Sequence, residues 1–100
     1  MELQEINRSN DDKKDDNIYF IKDESVMMSS VDVLTELSSS KRVILKANGD
    51  LIPNAVAIAN IVTENMLKGN SSIHEIKLDS TISEENGQMT SNIEITLLKN

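Results

Sequence analysis

The sequence predicts an α+β two-layer sandwich, in which a mixed four-stranded sheet carries two helices on one face. Three observations support this prediction. Four β-rich segments and two helical segments follow one another in the order β-α-β-α-β-β. The second β-rich segment is almost continuously apolar, as is typical of a central strand. An Asn-Gly pair, which is a strong hairpin signal, separates the last two β-rich segments.

The first half of the chain supplies a strand, a helix and a second strand. "NIYFIK" (17–22) is a short β-rich run between polar residues. Apolar residues spaced by three and four then predict a helix that is N-capped by Ser25 and ends at the triple serine 38–40. "RVILKA" (42–47) is the second strand. The helix positions expected to face the core are Val26, Met27, Ser30, Val31, Leu34 and Leu37, and Met28 is also expected to be a packing residue.

A turn and a longer helix follow the second strand. Asn48-Gly49-Asp50 has the composition of a turn, and Pro53 suits the first turn of a helix. The helix is predicted over 54–69, with Gly69 at its C-terminal cap. Its apolar face consists of Ala55, Val56, Ile58, Ala59, Val62, Met66 and Leu67.

The last quarter of the chain predicts a β-hairpin. Apolar residues recur in "SIHEIKLDST" (72–81) and alternate in "NIEITLLK" (92–99), which indicates two strands. The segment between them, 82–91, is polar and contains Asn86-Gly87. This segment is therefore predicted to form the hairpin loop.

Charge and composition limit the kinds of function that the chain can have. Its net charge is −7, and residues 1–16 contain six acidic and three basic residues but few apolar ones. We expect an acidic disordered tail over 1–16 and one folded domain over 17–100. An acidic domain repels DNA at long range. The aromatic residues are Tyr19 and Phe20, so stacking of several bases on aromatic side chains is excluded.

Catalytic, metal and membrane functions lack support. The chain has no cysteine, its single histidine (His74) lies in a predicted strand, and no serine has a basic partner in a recognisable motif. The acidic residues of the tail lack the pattern of an EF-hand. No apolar run approaches the length of a membrane span, and the N-terminus does not have the composition of a signal peptide. We expect a cytoplasmic protein that is not an enzyme and has no cofactor or metal.

Four stretches in order resemble the Alba family of small archaeal chromatin proteins, which bind double-stranded DNA and RNA. They are "VM" (26–27), "VILKANGDLIPNAV" (43–56), "IHEIKLDS" (73–80) and "SNIEITLLK" (91–99). The resemblance runs from about Asn17 to Lys99. It implies a chromosome-associated homodimer that condenses DNA, whose hairpins reach along the minor groove and whose body presents a basic surface.

The resemblance also implies positions for the binding site. The body surface corresponds to Lys22, after the first strand, and to Lys46, Asn48 and Asn54, around the turn before the second helix. At the hairpin tip, Asn86 and Gln88 either contact the minor groove weakly or form an ordinary solvated turn. At the end of the second helix, Met66 and Leu67 either make a dimer–dimer contact on DNA or pack in the core. The resemblance thus implies nucleic-acid contacts by Lys22, Lys46, Asn48, Asn54, Asn86 and Gln88, and a dimer–dimer contact by Met66 and Leu67.

The chain departs from the family at the basic positions. Asp23 and Glu24 stand where the family usually has lysines, and Asn48 and Asp50 stand where it commonly has arginines. Asp50 also has a structural explanation, as the N-cap or first-turn acid of the second helix. The resemblance therefore predicts weak, non-specific binding to DNA or RNA. The alternative is an interaction protein that forms heterodimers with a basic Alba partner and modulates its DNA coating.

Overall fold

Residues 17–100 are described by a computed structural model, in which two helices pack on one side of a four-stranded sheet. This architecture confirms the predicted α+β two-layer sandwich and its β-α-β-α-β-β order. The tail prediction for residues 1–16 lies outside the described residues. The elements are β1 (Asn17–Phe20), α1 (Val26–Ser40), β2 (Arg42–Asn48), α2 (Ile52–Ile61), β3 (Ser71–Ile82) and β4 (Met89–Lys99).

The strands are arranged in the order β1-β2-β4-β3. Strand β1 is parallel to β2, and the β2–β4 and β3–β4 pairs are antiparallel. Alternate side chains of β2 and β4 point into the core under the helices, which makes this the helical face of the sheet. The other side, which we call the open face, carries no helix from residues 17–100. The buried apolar residues of these two strands are Val43, Leu45, Ala47, Ile93, Ile95 and Leu97.

Helix α1 has the predicted ends but a different buried face. The Ser25 hydroxyl accepts a hydrogen bond from the backbone N–H of Met28 at 3.3 Å, which confirms the N-cap. The prediction that Met27 and Met28 pack in the core was wrong, because both are exposed, as is Val31. Ser30 and Leu37 are buried as predicted, and Ser29 and Val33 are buried in addition. Ser30 tolerates burial because its hydroxyl donates to the carbonyl of Val26 at 2.8 Å.

The second helix starts earlier and ends differently from the prediction. A short 3₁₀ turn (Gly49–Leu51) leads directly into α2, and Pro53 lies in the first turn. Helix α2 then continues as a π-helical segment (Val62–Met66) before the chain reaches Gly69, whose φ is +83°. The regular helix is therefore shorter than the predicted 54–69.

The hairpin is longer than predicted. Strands β3 and β4 pair up to Ile82 and Met89, so the connecting loop is only Ser83–Gln88. Strand β2 pairs with β4 no further than Asn92. Three pairs of hairpin residues therefore extend beyond β2, and we call this projecting segment (80–91) the arm.

Candidate nucleic-acid interface

Four of the predicted contact residues lie at one end of the molecule, where the parallel strands β1 and β2 both finish. Phe20 is the sheet partner of Lys46. Since the two strands run in the same direction, Lys22 and Asn48 follow this pair at the same edge of the sheet. Helix α2 starts from that edge, with Asn54 in its first turn. We call this edge, with Lys22, Lys46, Asn48 and Asn54, the body end.

The two lysines of the body end differ in solvent exposure and in their distance from a carboxylate. Lys22 lies in the exposed loop after β1. Lys46 is half-buried on the open face, and its Nζ atom lies 3.5 Å from Oε2 of Glu94 on β4. A carboxylate at this distance offsets much of the field that Lys46 presents to a phosphate. Lys22 is therefore the more available of the two lysines.

Acidic side chains surround these lysines at the body end. Asp23 and Glu24 follow Lys22 directly, and the backbone N–H of Glu24 donates to the carbonyl of Lys22 at 2.8 Å, which closes a tight turn. All three side chains are exposed. Asp50 lies in the 3₁₀ turn rather than at the N-cap of α2, which is Leu51. A phosphate that approaches this edge therefore meets at least as many carboxylates as ammonium groups.

The arm projects from the same edge of the sheet as the body end. Its tip is exposed, and Oδ1 of Asn86 accepts a hydrogen bond from the backbone N–H of Gln88 at 2.9 Å. That bond orients the Asn86 side chain within the turn and leaves its amide N–H groups available as donors. Glu84 and Glu85 belong to the same turn. The arm and the body end are thus positioned to contact one extended ligand, although they do not form a single pocket.

Met66 and Leu67 lie at the other end of the helical layer. Both are half-buried and pack against the core of their own protomer. The backbone N–H of Leu67 donates to the carbonyl of Val62 at 2.8 Å and closes the π-helical segment. Because both side chains are partly exposed, they remain accessible to a second dimer, and the dimer–dimer contact stays a prediction.

The sequence matches the Alba family over residues 17–80. The chain belongs to the Alba family. This confirms the resemblance that the four sequence stretches indicated. Membership of the Alba family supports a nucleic-acid-binding role for the chain.

Two solved Alba structures share the fold. Alba from Thermoplasma volcanium superimposes with a TM-score of 0.71 at 32% sequence identity, over 83% of this chain and 100% of that chain. ALBA1 from Trypanosoma brucei superimposes with a TM-score of 0.67 at 18% identity, over 83% of this chain and 68% of that chain. No curated protein sequence gives a significant match.

Residues 17–100 contain neither a membrane-spanning helix nor a candidate metal site. No helix in this range is long and apolar enough to cross a membrane. No group of three or more His, Cys, Asp or Glu side chains in the same range is arranged to hold a metal ion. His74 is an exposed residue at the irregularity between Ile73 and Glu75 in β3.

A row of side chains across the open face was not predicted from the sequence. Phe20, Lys46, Glu94 and Lys77 occupy paired positions on the four strands. They border a groove of about 650 Å³. Alternation along β1 could have indicated the position of Phe20. Tyr19 packs against the core, so the side chain of the next residue, Phe20, must point to the open face.

An apolar strip on the helical face of the hairpin, which no other part of residues 17–100 covers, was not predicted from the sequence either. Leu78, in the middle of β3, is 72% exposed. Its sheet partner is the buried Ile93, so the strip continues the core sideways beyond the helices. The strip consists of Ile76, Leu78, Ile82 and Met89. Such a contiguous exposed patch is typical of a protein–protein interface.

Proposed function

We propose that this Alba-family chain forms a homodimer that binds double-stranded DNA or RNA without sequence specificity and with weakened affinity. The observation that carries the proposal is the common edge of the sheet from which the arm projects and at which Lys22, Lys46 and Asn48 lie. A duplex laid across this edge meets donors from the body and from the arm. Such contacts to phosphate and sugar position a duplex but do not specify its sequence.

The weakened affinity follows from the charges at the same edge. Asp23, Glu24 and Asp50 are exposed there, and Lys46 is paired with Glu94. Two lysines in each protomer, four in a dimer, give a slope of log K against log salt of about −3.6 on B-DNA. Affinity will then fall about 100-fold between 50 and 200 mM salt. This dependence is shallower than that of proteins that neutralise more phosphates.

A second copy of the same chain is the partner that we propose for the apolar strip. The strip contains four large apolar side chains, which are exposed in the protomer and lie next to the core. Burial of apolar surface of this kind stabilises association by about 25 cal/mol per Å². A domain of this size also gains stability by pairing. Dimer formation would place two body ends and two arms in one particle.

The experiment that tests the proposal is a fluorescence-anisotropy titration with a duplex DNA and a duplex RNA of 20 base pairs at 50 and 200 mM salt. Lys22→Glu is expected to weaken binding of both and to flatten the salt slope. Lys68→Glu is the matched control, because Lys68 is exposed beyond the far end of α2. Affinity that is unchanged by salt, or equal losses in the two variants, would contradict the proposal.

A second candidate function is regulation of a basic Alba chain by heterodimer formation. The exposed acids Asp23, Glu24 and Asp50 favour it, because a mixed dimer would carry one poorly binding body end. The test is native mass spectrometry of this chain mixed with a basic Alba protein. Exchange into mixed dimers with reduced duplex affinity supports this function, and the persistence of two separate homodimers contradicts it.

A further inference from the structure

The open face of the sheet has the features of a site for unpaired bases. Phe20 is 63% exposed and lies on the open side of β1, because Tyr19 and Ile21 on either side of it point into the core. Exposure of an aromatic ring to water on a sheet surface is unfavourable, and stacking on a nucleobase removes that apolar surface from water. Four-stranded sheets with aromatic residues on an uncovered face bind single-stranded RNA in this way.

The groups around Phe20 are those that a nucleotide needs. Lys46 lies beside Phe20 on the next strand, and Lys77 lies two strands further on, with Glu94 between the two lysines. The next row toward the arm contains Asn48 and its sheet partner Asn92. All of these residues line the same groove of about 650 Å³, a volume within the range of ligand sites. Amide side chains there can bond to base edges and to the 2′-hydroxyl.

The charge of this groove argues against a duplex as its ligand. The lysines Lys46 and Lys77 are balanced by Glu94 and Asp79, which also line it. A neutral groove attracts the phosphate backbone only weakly, so binding must depend on the ring and the amides. Paired bases in a duplex are already stacked and cannot cover Phe20, whereas an unpaired base can.

We propose that the open face binds single-stranded nucleic acid, with one base stacked on Phe20 and the flanking phosphates near Lys46 and Lys77. This inference rests on the proposed nucleic-acid-binding function, but it assigns a different form of the ligand to the open face, which shares only Lys46 and Asn48 with the body end. With two phosphate contacts, the salt slope for single strands is about −1.4, well below that for duplexes.

The test compares Phe20→Ala with Ile18→Ala. Ile18 is an exposed apolar residue on the same face of β1 but lies outside the groove, so it is the matched control. Fluorescence anisotropy with labelled rA10, dA10 and a duplex is measured for each variant. Phe20→Ala is expected to weaken single-strand binding by about 5- to 100-fold and to leave duplex binding unchanged. Ile18→Ala is expected to change neither, and the ratio of rA10 to dA10 affinity reports whether the 2′-hydroxyl is read.

A spectroscopic variant separates stacking from an indirect effect. The chain contains no tryptophan, so Phe20→Trp introduces a single reporter on the open face. Its fluorescence is expected to be quenched when rA10 or dA10 binds, with affinity kept or increased. Lys77→Ala should weaken single-strand binding alone. The inference is overturned if Phe20→Ala binds single strands as well as the unsubstituted chain does, or if Phe20→Trp is not quenched on binding. Complete absence of binding by the unsubstituted chain to every probe would instead reject the proposed function.

Discussion

The ammonium group of Lys46 lies 3.5 Å from the carboxylate of Glu94, across the β2–β4 pair on the open face. Glu94 is also the sheet partner of Lys77 on its other side, so one carboxylate lies between two lysines. Both side chains of the ion pair are partly exposed to solvent, Lys46 by 34% and Glu94 by 42%. An exposed pair of this kind adds little to stability but alters the local field.

Glu94→Gln is therefore expected to increase duplex affinity while changing stability by less than about 1 kcal/mol. Removal of a carboxylate next to Lys46 releases an attraction to phosphate that is worth about 1 kcal/mol in water, or about fivefold in affinity. Anisotropy titrations at 50 mM salt and thermal melts measure the two effects. Glu36→Gln, on α1, is the control with the same loss of charge. Equal affinity gains in the two variants would show that only net charge matters.

Asp23→Lys tests the cost of the acidic loop at the body end. The substitution removes a repulsion and adds a phosphate contact next to Lys22, and a dimer does so twice. The salt slope for duplex DNA is expected to steepen by about 1.8, and affinity at 50 mM salt to rise at least about tenfold.

The control for this loop prediction is Glu36→Lys, which makes a similar change of charge on helix α1. It shifts the net charge without placing a cation at the body end. An equal change of slope in Glu36→Lys, or an unchanged slope in Asp23→Lys, would contradict the position that we assign to the duplex.

Leu78→Lys is expected to convert the proposed homodimer into a monomer that is still folded. Leu78 is exposed in the protomer, so the change leaves the core intact, but a lysine in an apolar interface cannot be desolvated without a large penalty. Size-exclusion chromatography with light scattering measures the mass, and circular dichroism measures the fold. Thr81→Lys is the control, because Thr81 lies on the same strand but alternation places it on the opposite face. A dimeric Leu78→Lys variant would require a different interface.

Much of the fold could be predicted from local sequence patterns. The last strand and the Ser25 cap are determined by short-range chemistry: the strand covers the predicted 92–99, although it begins earlier, at Met89, and the cap lies where it was predicted. The buried face of α1 could not be predicted in this way. Apolar Met27 and Met28 fit the helical spacing, but the sheet is contacted by the stripe that contains Ser29 and Ser30. Hydrophobicity alone does not predict this stripe, because a serine such as Ser30 can be buried when its hydroxyl donates to a carbonyl of its own helix.

The candidate site was predictable only in part. The family resemblance located Lys22, Lys46 and Asn48, and strand order then explains why they share an edge. The pairing of Lys46 with Glu94 depends on the β2–β4 register, which joins residues 48 positions apart in sequence. The open-face groove likewise needs all four strands in order. Single-sequence patterns contain no direct information on such long-range pairings.

The phenol of Tyr19 provides a titration that reports on the packing between β1 and α1. Burial raises the pKa of Tyr19 above its ordinary value of 10.0, and the nearby carboxylate of Asp32, which accepts a hydrogen bond from the phenol at 3.2 Å, raises this pKa further. Because Tyr19 is the single tyrosine, ultraviolet absorbance of the phenolate measures its pKa directly. The midpoint is expected above 10.0, and Asp32→Asn should lower it, whereas Asp23→Asn should not.

Since the pKa of Tyr19 is higher in the folded state than in the unfolded state, the contribution of this group to stability is complete below pH 10 and is lost as pH rises through the folded pKa. Urea unfolding at fixed protein concentration should therefore show a smaller alkaline loss of stability in Tyr19→Phe. A midpoint at or below 10.0 would mean that the phenol is solvated and that β1 does not pack against α1 as described.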